Sequence, residues 1–66
     1  MPYVNIKLTP PGATAKQKAE VIAGVTKVLQ DVLGKKPELT FVVIDEVDPE
    51  DWGIGGQSVA EQLARL

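Results

Sequence analysis

The stretch 39–47 constrains this chain more than any other. From Leu39 through Thr40, Phe41, Val42 and Val43 to Ile44 it is β-branched, aromatic or aliphatic without alternation. A strand that is apolar on both sides is a strand covered on both sides. The whole chain has 66 residues, and a domain of that size buries only about 60% of the surface its unfolded form exposes. There is no cysteine to cross-link it and no histidine to ligate metal in the common way, so the usual supports of small domains are missing. A single helix covers one face of such a strand. The other face is expected to meet a second copy of the chain.

The remaining elements follow from periodicity and turn chemistry. Residues 2–8 alternate, with Val4, Ile6 and Leu8 on one side and Tyr3, Asn5 and Lys7 on the other, which predicts a strand with one core face. Thr9, Pro10, Pro11 and Gly12 end it, because two prolines remove ladder donors and glycine is free to turn. Thr14 and Gln17 have the spacing of a capping box, so a helix starts there. Ile22, Val25, Leu29, Val32 and Leu33 recur at helical spacing, Val21 and Val28 widen the stripe, and Lys16, Glu20, Lys27 and Asp31 lie mostly off it. Gly34 and then Pro37 close the helix in the expected order. Strand, helix, strand at this length implies a right-handed crossover and parallel pairing of strands 1 and 2. Past the acidic loop of Asp48, Pro49, Glu50 and Asp51, the segment 52–56 predicts a short hairpin or bend. Ser58 and Glu61 then offer a second cap before a terminal segment bearing Val59, Leu63 and Leu66. The class is α+β: one β-α-β domain over 1–66, assembling as an oligomer.

Charge excludes some functions. Seven basic residues against nine acidic ones give a net charge of −2, which is no footprint for nucleic acid. No apolar run approaches 18 residues and no charged-then-apolar leader opens the sequence, so neither membrane insertion nor secretion is expected and the cytoplasm is the plain location. The acidic positions Asp45, Glu46, Asp48, Glu50 and Asp51 match no calcium-loop spacing, lacking the required glycine and terminal glutamate, and read as a solvated loop. No metal and no cofactor is expected. Gly53, Gly55 and Gly56 stand in no strand-to-helix turn with a lysine, so they do not read as a phosphate cradle.

The chemically unusual residue is Pro2. A residue that small at position 2 lets the initiator methionine be trimmed, which leaves a secondary amine at the chain start. An ordinary terminal amine titrates near 8. In an apolar setting the ammonium form is disfavoured, and the amine becomes a usable base near neutrality. The ring also fixes the direction of the lone pair once the strand is fixed. Trp52, Phe41 and the aliphatics of strand 1 are the candidate walls, although Trp52 equally suits a packed interface. With Met1 retained, that nitrogen is an amide and has no such role.

Met1-Pro2 ahead of an alternating strand, one long helix, a second strand and the late Trp52-Gly53-Ile54-Gly55-Gly56 segment resemble the 4-oxalocrotonate tautomerase family over nearly the whole chain. The resemblance implies a β-α-β subunit, usually in a homohexamer built as a trimer of dimers. It also implies that the amino-terminal proline is a general base moving a proton between enol and keto forms of a small molecule. Pro2 is then the catalytic residue, with Trp52, Phe41 and Leu8 as substrate-binding residues, the last through its nearby backbone amides. The family's two substrate-binding arginines are absent: Ala13 and Phe41 stand at those positions, and neither supplies the bidentate carboxylate partner that guanidinium would. The replacement cations on offer are Lys7, Lys16, Lys35, Lys36 and Arg65, the last a candidate to reach a neighbouring subunit, although each reads first as a solvated surface charge. Phe41 beside Trp52 favours a flat or weakly charged substrate, such as an arylpyruvate. Hydration or dehalogenation is not expected, since Ile54 occupies the middle of the glycine segment with no acid beside it. The alternative is a noncatalytic oligomer that kept the scaffold and lost its substrate-binding groups.

Overall fold

A computed structural model of the chain describes residues 1–64; Arg65 and Leu66, assigned above to a subunit contact and to the terminal apolar face, lie outside them. The order is β1 (Tyr3–Leu8), α1 (Ala15–Leu33), β2 (Phe41–Glu46), the short strands β3 (Gly53–Ile54) and β4 (Gln57–Ser58), and α2 (Val59–Ala64). Strands β1 and β2 pair in parallel, with Tyr3 opposite Phe41 and Leu8 opposite Glu46. The parallel pairing is the one expected of the β-α-β unit.

The helix boundaries are set by the residues that predict them. Thr14 Oγ1 accepts the Gln17 amide at 3.1 Å, and Gln17 Oε1 accepts the Thr14 amide at 2.9 Å. At the other end Gly34 takes the left-handed conformation, φ +67°, which lets the Lys35 N–H donate to the Leu29 carbonyl at 3.2 Å and satisfy one of the last open acceptors.

Strand β2 is shorter than the expected 39–47. Pro37 opens a 3-10 turn that takes in Leu39. The Thr40 amide donates back to the Pro37 carbonyl at 3.1 Å and its hydroxyl to the Lys36 carbonyl at 2.9 Å, so Thr40 is committed to the turn and the ladder begins at Phe41. Beyond the ladder, Val47 N–H still donates to the Leu8 carbonyl at 2.7 Å. At the glycine segment the chain makes a true hairpin: Gly55 and Gly56, φ +61° and +84°, form a two-residue loop in which both residues need the left-handed region. Ser58 Oγ accepts the Glu61 amide at 3.2 Å and caps α2.

Side-chain alternation divides the sheet. Val4, Ile6, Leu8, Val42 and Ile44 share the face of Glu46, which reaches Lys18 of α1, so this face lies under the helix and is half-buried. The opposite face carries Tyr3, Phe41 and Val43 at 65%, 50% and 40% exposure. Among the described residues none is fully buried. The radius of gyration is 15.1 Å, where a compact chain of this length has about 11 Å. The accessible surface is 4974 Å² against about 4,100 Å² for a typical monomer of this mass. The open sheet face carries Tyr3, Phe41 and Val43 together with the polar Asn5, Lys7 and Asp45.

Candidate active site

Pro2 sits half-buried just ahead of β1, and its carbonyl accepts the Phe41 N–H at 3.0 Å. That bond continues the parallel ladder by one step. With φ of Pro2 locked by its ring and its carbonyl pinned to β2, the pyrrolidine has a set orientation relative to Phe41. The bond engages the carbonyl side of Pro2, so it does not depend on whether the nitrogen carries Met1 or is free.

Leu8 and Trp52 lie at the other end of the sheet. Trp52 is half-buried and borders an open depression of about 400 Å³ together with Lys7, Val47, Asp51 and Gly53. Leu8 faces the helix side and borders a second depression, of about 510 Å³, with Gly12, Ala13, Gln17, Glu20 and Val21. Leu8 lies six residue steps along the strand from Pro2, about 20 Å at 3.3 Å per step. Within one subunit the structure therefore brings Pro2 to Phe41 and leaves Leu8 and Trp52 far from both. Parallel pairing is the reason, because it sets the two strand starts side by side and sends both strand ends away together.

Two polar clusters flank this frame, and both were missed in the sequence. On the open face Asn5 Nδ2 donates to Asp45 Oδ2 at 2.8 Å, and Lys7 Nζ lies 3.2 Å from the same oxygen. The Asn5 hydrogen bond, followed by the hydrogen bond and charge of Lys7, holds the Asp45 carboxyl below the usual aspartate value. On the helix side Glu46 Oε1 pairs with Lys18 Nζ at 3.0 Å. Glu46 too is held below its usual value, first by Lys18 and then by the Ala13 amide. The only sequence signal for either cluster was opposite charge, Lys7 with Asp45 and Lys18 with Glu46, at positions that become neighbours through the strand register in the first case and through packing of α1 on the sheet in the second. Among the described residues Lys16, Lys35 and Lys36 make no ion pair. No group of three or more His, Cys, Asp or Glu among them could hold a metal ion, and no helix is long and apolar enough to cross a membrane.

A family profile described as "Tautomerase enzyme" matches residues 2–62. A probable tautomerase of Dickeya dadantii (strain 3937) is 58% identical over 62 residues, covering 94% of this chain and 92% of that protein. A crystal structure of DmpI from Helicobacter pylori has 42% identity and a TM-score of 0.85, covering 96% of this chain and 97% of that one. One of the 4-oxalocrotonate tautomerase isozymes from Methylibium petroleiphilum superposes with a TM-score of 0.84 at 26% identity, covering 98% and 100% of the two chains. A chain of a heterohexamer 4-oxalocrotonate tautomerase from Chloroflexus aurantiacus J-10-fl gives 0.75 at 28% identity, covering 92% and 97%. On sequence and fold together, the chain belongs to the tautomerase family.

Proposed function

We propose that this chain is an oligomeric enzyme that interconverts the enol and keto forms of a small 2-hydroxyalkenoate or arylpyruvate-like compound, with the Pro2 nitrogen as general base once Met1 is removed. The observation that carries this reading is the 3.0 Å bond from the Phe41 N–H to the Pro2 carbonyl, which makes the chain terminus a fixed part of the sheet. A base held this way meets its substrate in one orientation. The free amine accepts the proton of the enol hydroxyl as the C=O bond forms. It then returns a proton to the carbon at the far end of the enol or dienol system. The proton count closes on the amine and no electrons leave the substrate, so the reaction calls for no redox partner.

Assembly supplies what one subunit lacks. A second copy that covers the open face and brings its Leu8 and Trp52 end against Pro2 would strip water from the amine and lower its pKa. The exposed Tyr3, Phe41 and Val43 on the open face, the expanded dimensions and the heterohexameric relative support assembly, with six subunits as the natural number.

The test starts with intact mass to verify a proline terminus. Ketonisation of phenylenolpyruvate and of 2-hydroxymuconate is then followed in the native protein and in Pro2→Ala. Loss of about a hundredfold or more is expected, the usual contribution of a positioned base. Retention of the native rate by Pro2→Ala would overturn the proposal. The absence of guanidinium at positions 13 and 41 favours a second reading, an assembly fold without catalysis. A native protein with a verified free proline that turns over no enol would establish that reading.

A further inference from the structure

We propose that Glu46 is a positioning residue, whose carboxylate holds the loop between β1 and α1 against the end of β2 and so fixes the wall that Leu8, Gly12 and Ala13 give to the helix-side depression. One oxygen does the holding. Glu46 Oε1 takes Lys18 Nζ at 3.0 Å and the Ala13 amide at a long 3.5 Å. Three segments thus meet at a single atom: the last residue of β2, the loop, and the first part of α1. Glu46 also stands opposite Leu8 in the ladder, so the same residue is tied to the strand that leads into the loop.

Gly12 shows that the carboxylate's place is built into the loop. Its φ is +62°, and a Cβ at this position would overlap the Glu46 carboxylate. The Gly12 N–H donates to the Thr9 carbonyl at 3.0 Å, which closes the turn around that vacant side-chain position. Lys18 and Glu46 each keep about a third of their side-chain surface in water. A pair that wet contributes little net stability, so the consequence of the contact is geometric.

The consequence for turnover rests on the tautomerase reading. Pro2 is anchored separately by Phe41 at the far end of the sheet. Loosening the loop is therefore expected to weaken substrate capture and leave the base where it is, raising KM with kcat nearly unchanged.

The experiment compares native protein, Glu46→Ala and Glu46→Gln in the assembled state, reading the hydrogen-exchange rate of the Ala13 amide and the kinetics of phenylenolpyruvate ketonisation. In Glu46→Ala the Ala13 amide should exchange about threefold faster, since the bond lost is a long one. KM should rise severalfold with kcat within about twofold. Glu46→Gln keeps an acceptor oxygen and should recover most of the exchange protection. Unchanged Ala13 exchange in Glu46→Ala, or a fall in kcat at constant KM, overturns the proposal. Should Glu46→Ala fail to fold, Lys18→Gln reads the same clamp from the helix: faster Ala13 exchange supports it and an unchanged rate overturns it. Faster Ala13 exchange supports the positioning role even where the native protein turns over no enol, a result that counts against the tautomerase reading alone.

Discussion

Replacing Phe41 with alanine tests whether the open face of the sheet is where copies meet. Phe41 is 50% exposed in the subunit, alongside Tyr3 and Val43 on the same face. An aromatic side chain offers roughly 150–250 Å² for burial, so about 100 Å² of Phe41 remains to be covered by a partner. At about 25 cal/mol per Å² this is about 2.5 kcal/mol per copy. The alanine methyl retains a small part, which leaves about 2 kcal/mol per copy and about 4 kcal/mol for a contact between two copies, or roughly a thousandfold in dissociation constant. Sedimentation velocity from nanomolar to micromolar concentrations, with circular dichroism to confirm helix content, should show the association midpoint of Phe41→Ala displaced to far higher concentration. A midpoint within a few-fold of the native one would refute the assignment of this face. So would a native chain that sediments as a folded monomer at micromolar concentration.

Gly34→Ala forces a side chain into the left-handed region at φ +67°. It should cost about 1 kcal/mol, lowering the thermal midpoint by about 4–8 °C in a domain of this size, and an unchanged melt in circular dichroism would contradict the cap. Asp45 is depressed in the folded state, first by Asn5 and then by Lys7, so its stabilisation is complete above the ordinary aspartate value of 3.8 and lost as pH falls through the lower folded value. The double variant Asn5→Ala/Lys7→Ala should therefore lose stability less steeply than the native protein below about pH 4; melting curves that fall in parallel with acid would refute this.

Local chemistry wrote most of the fold into the sequence. Thr14 with Gln17 marked the helix start, Gly34 its end, and the alternation of Val4, Ile6 and Leu8 the inner face of β1. Leu39 misled because its side chain suits a strand, whereas Pro37 commits the backbone there to a turn, and side-chain type does not report that commitment. The glycine segment left hairpin and bend open until Gly55 and Gly56 were seen with positive φ together. The candidate site was chosen as a set of residue names and not as an arrangement. Pro2, Phe41, Leu8 and Trp52 could all be chosen from the sequence, yet it takes the register to put Pro2 and Phe41 at one end of the sheet and Leu8 at the other, and the folded chain to put Trp52 beside Lys7 and Val47. Lys18 with Glu46, and Asn5 with Asp45, were invisible for a similar reason, since each pair lies far apart along the chain; the first meets where α1 packs on the end of β2 and the second across the ladder.

The bond between the Phe41 amide and the Pro2 carbonyl has a practical side for anyone preparing this protein. A purification tag fused ahead of Pro2 would turn its nitrogen into an ordinary peptide link while leaving the carbonyl handshake, the strands and the helix undisturbed. Such a preparation should keep the pairing of β1 with β2 within the subunit. If Pro2 is the base as proposed, silence of such a preparation in an enol assay would reflect the label and not the protein, so a handle at the carboxyl end, or on a linker cleaved cleanly before the proline, keeps the proposal testable.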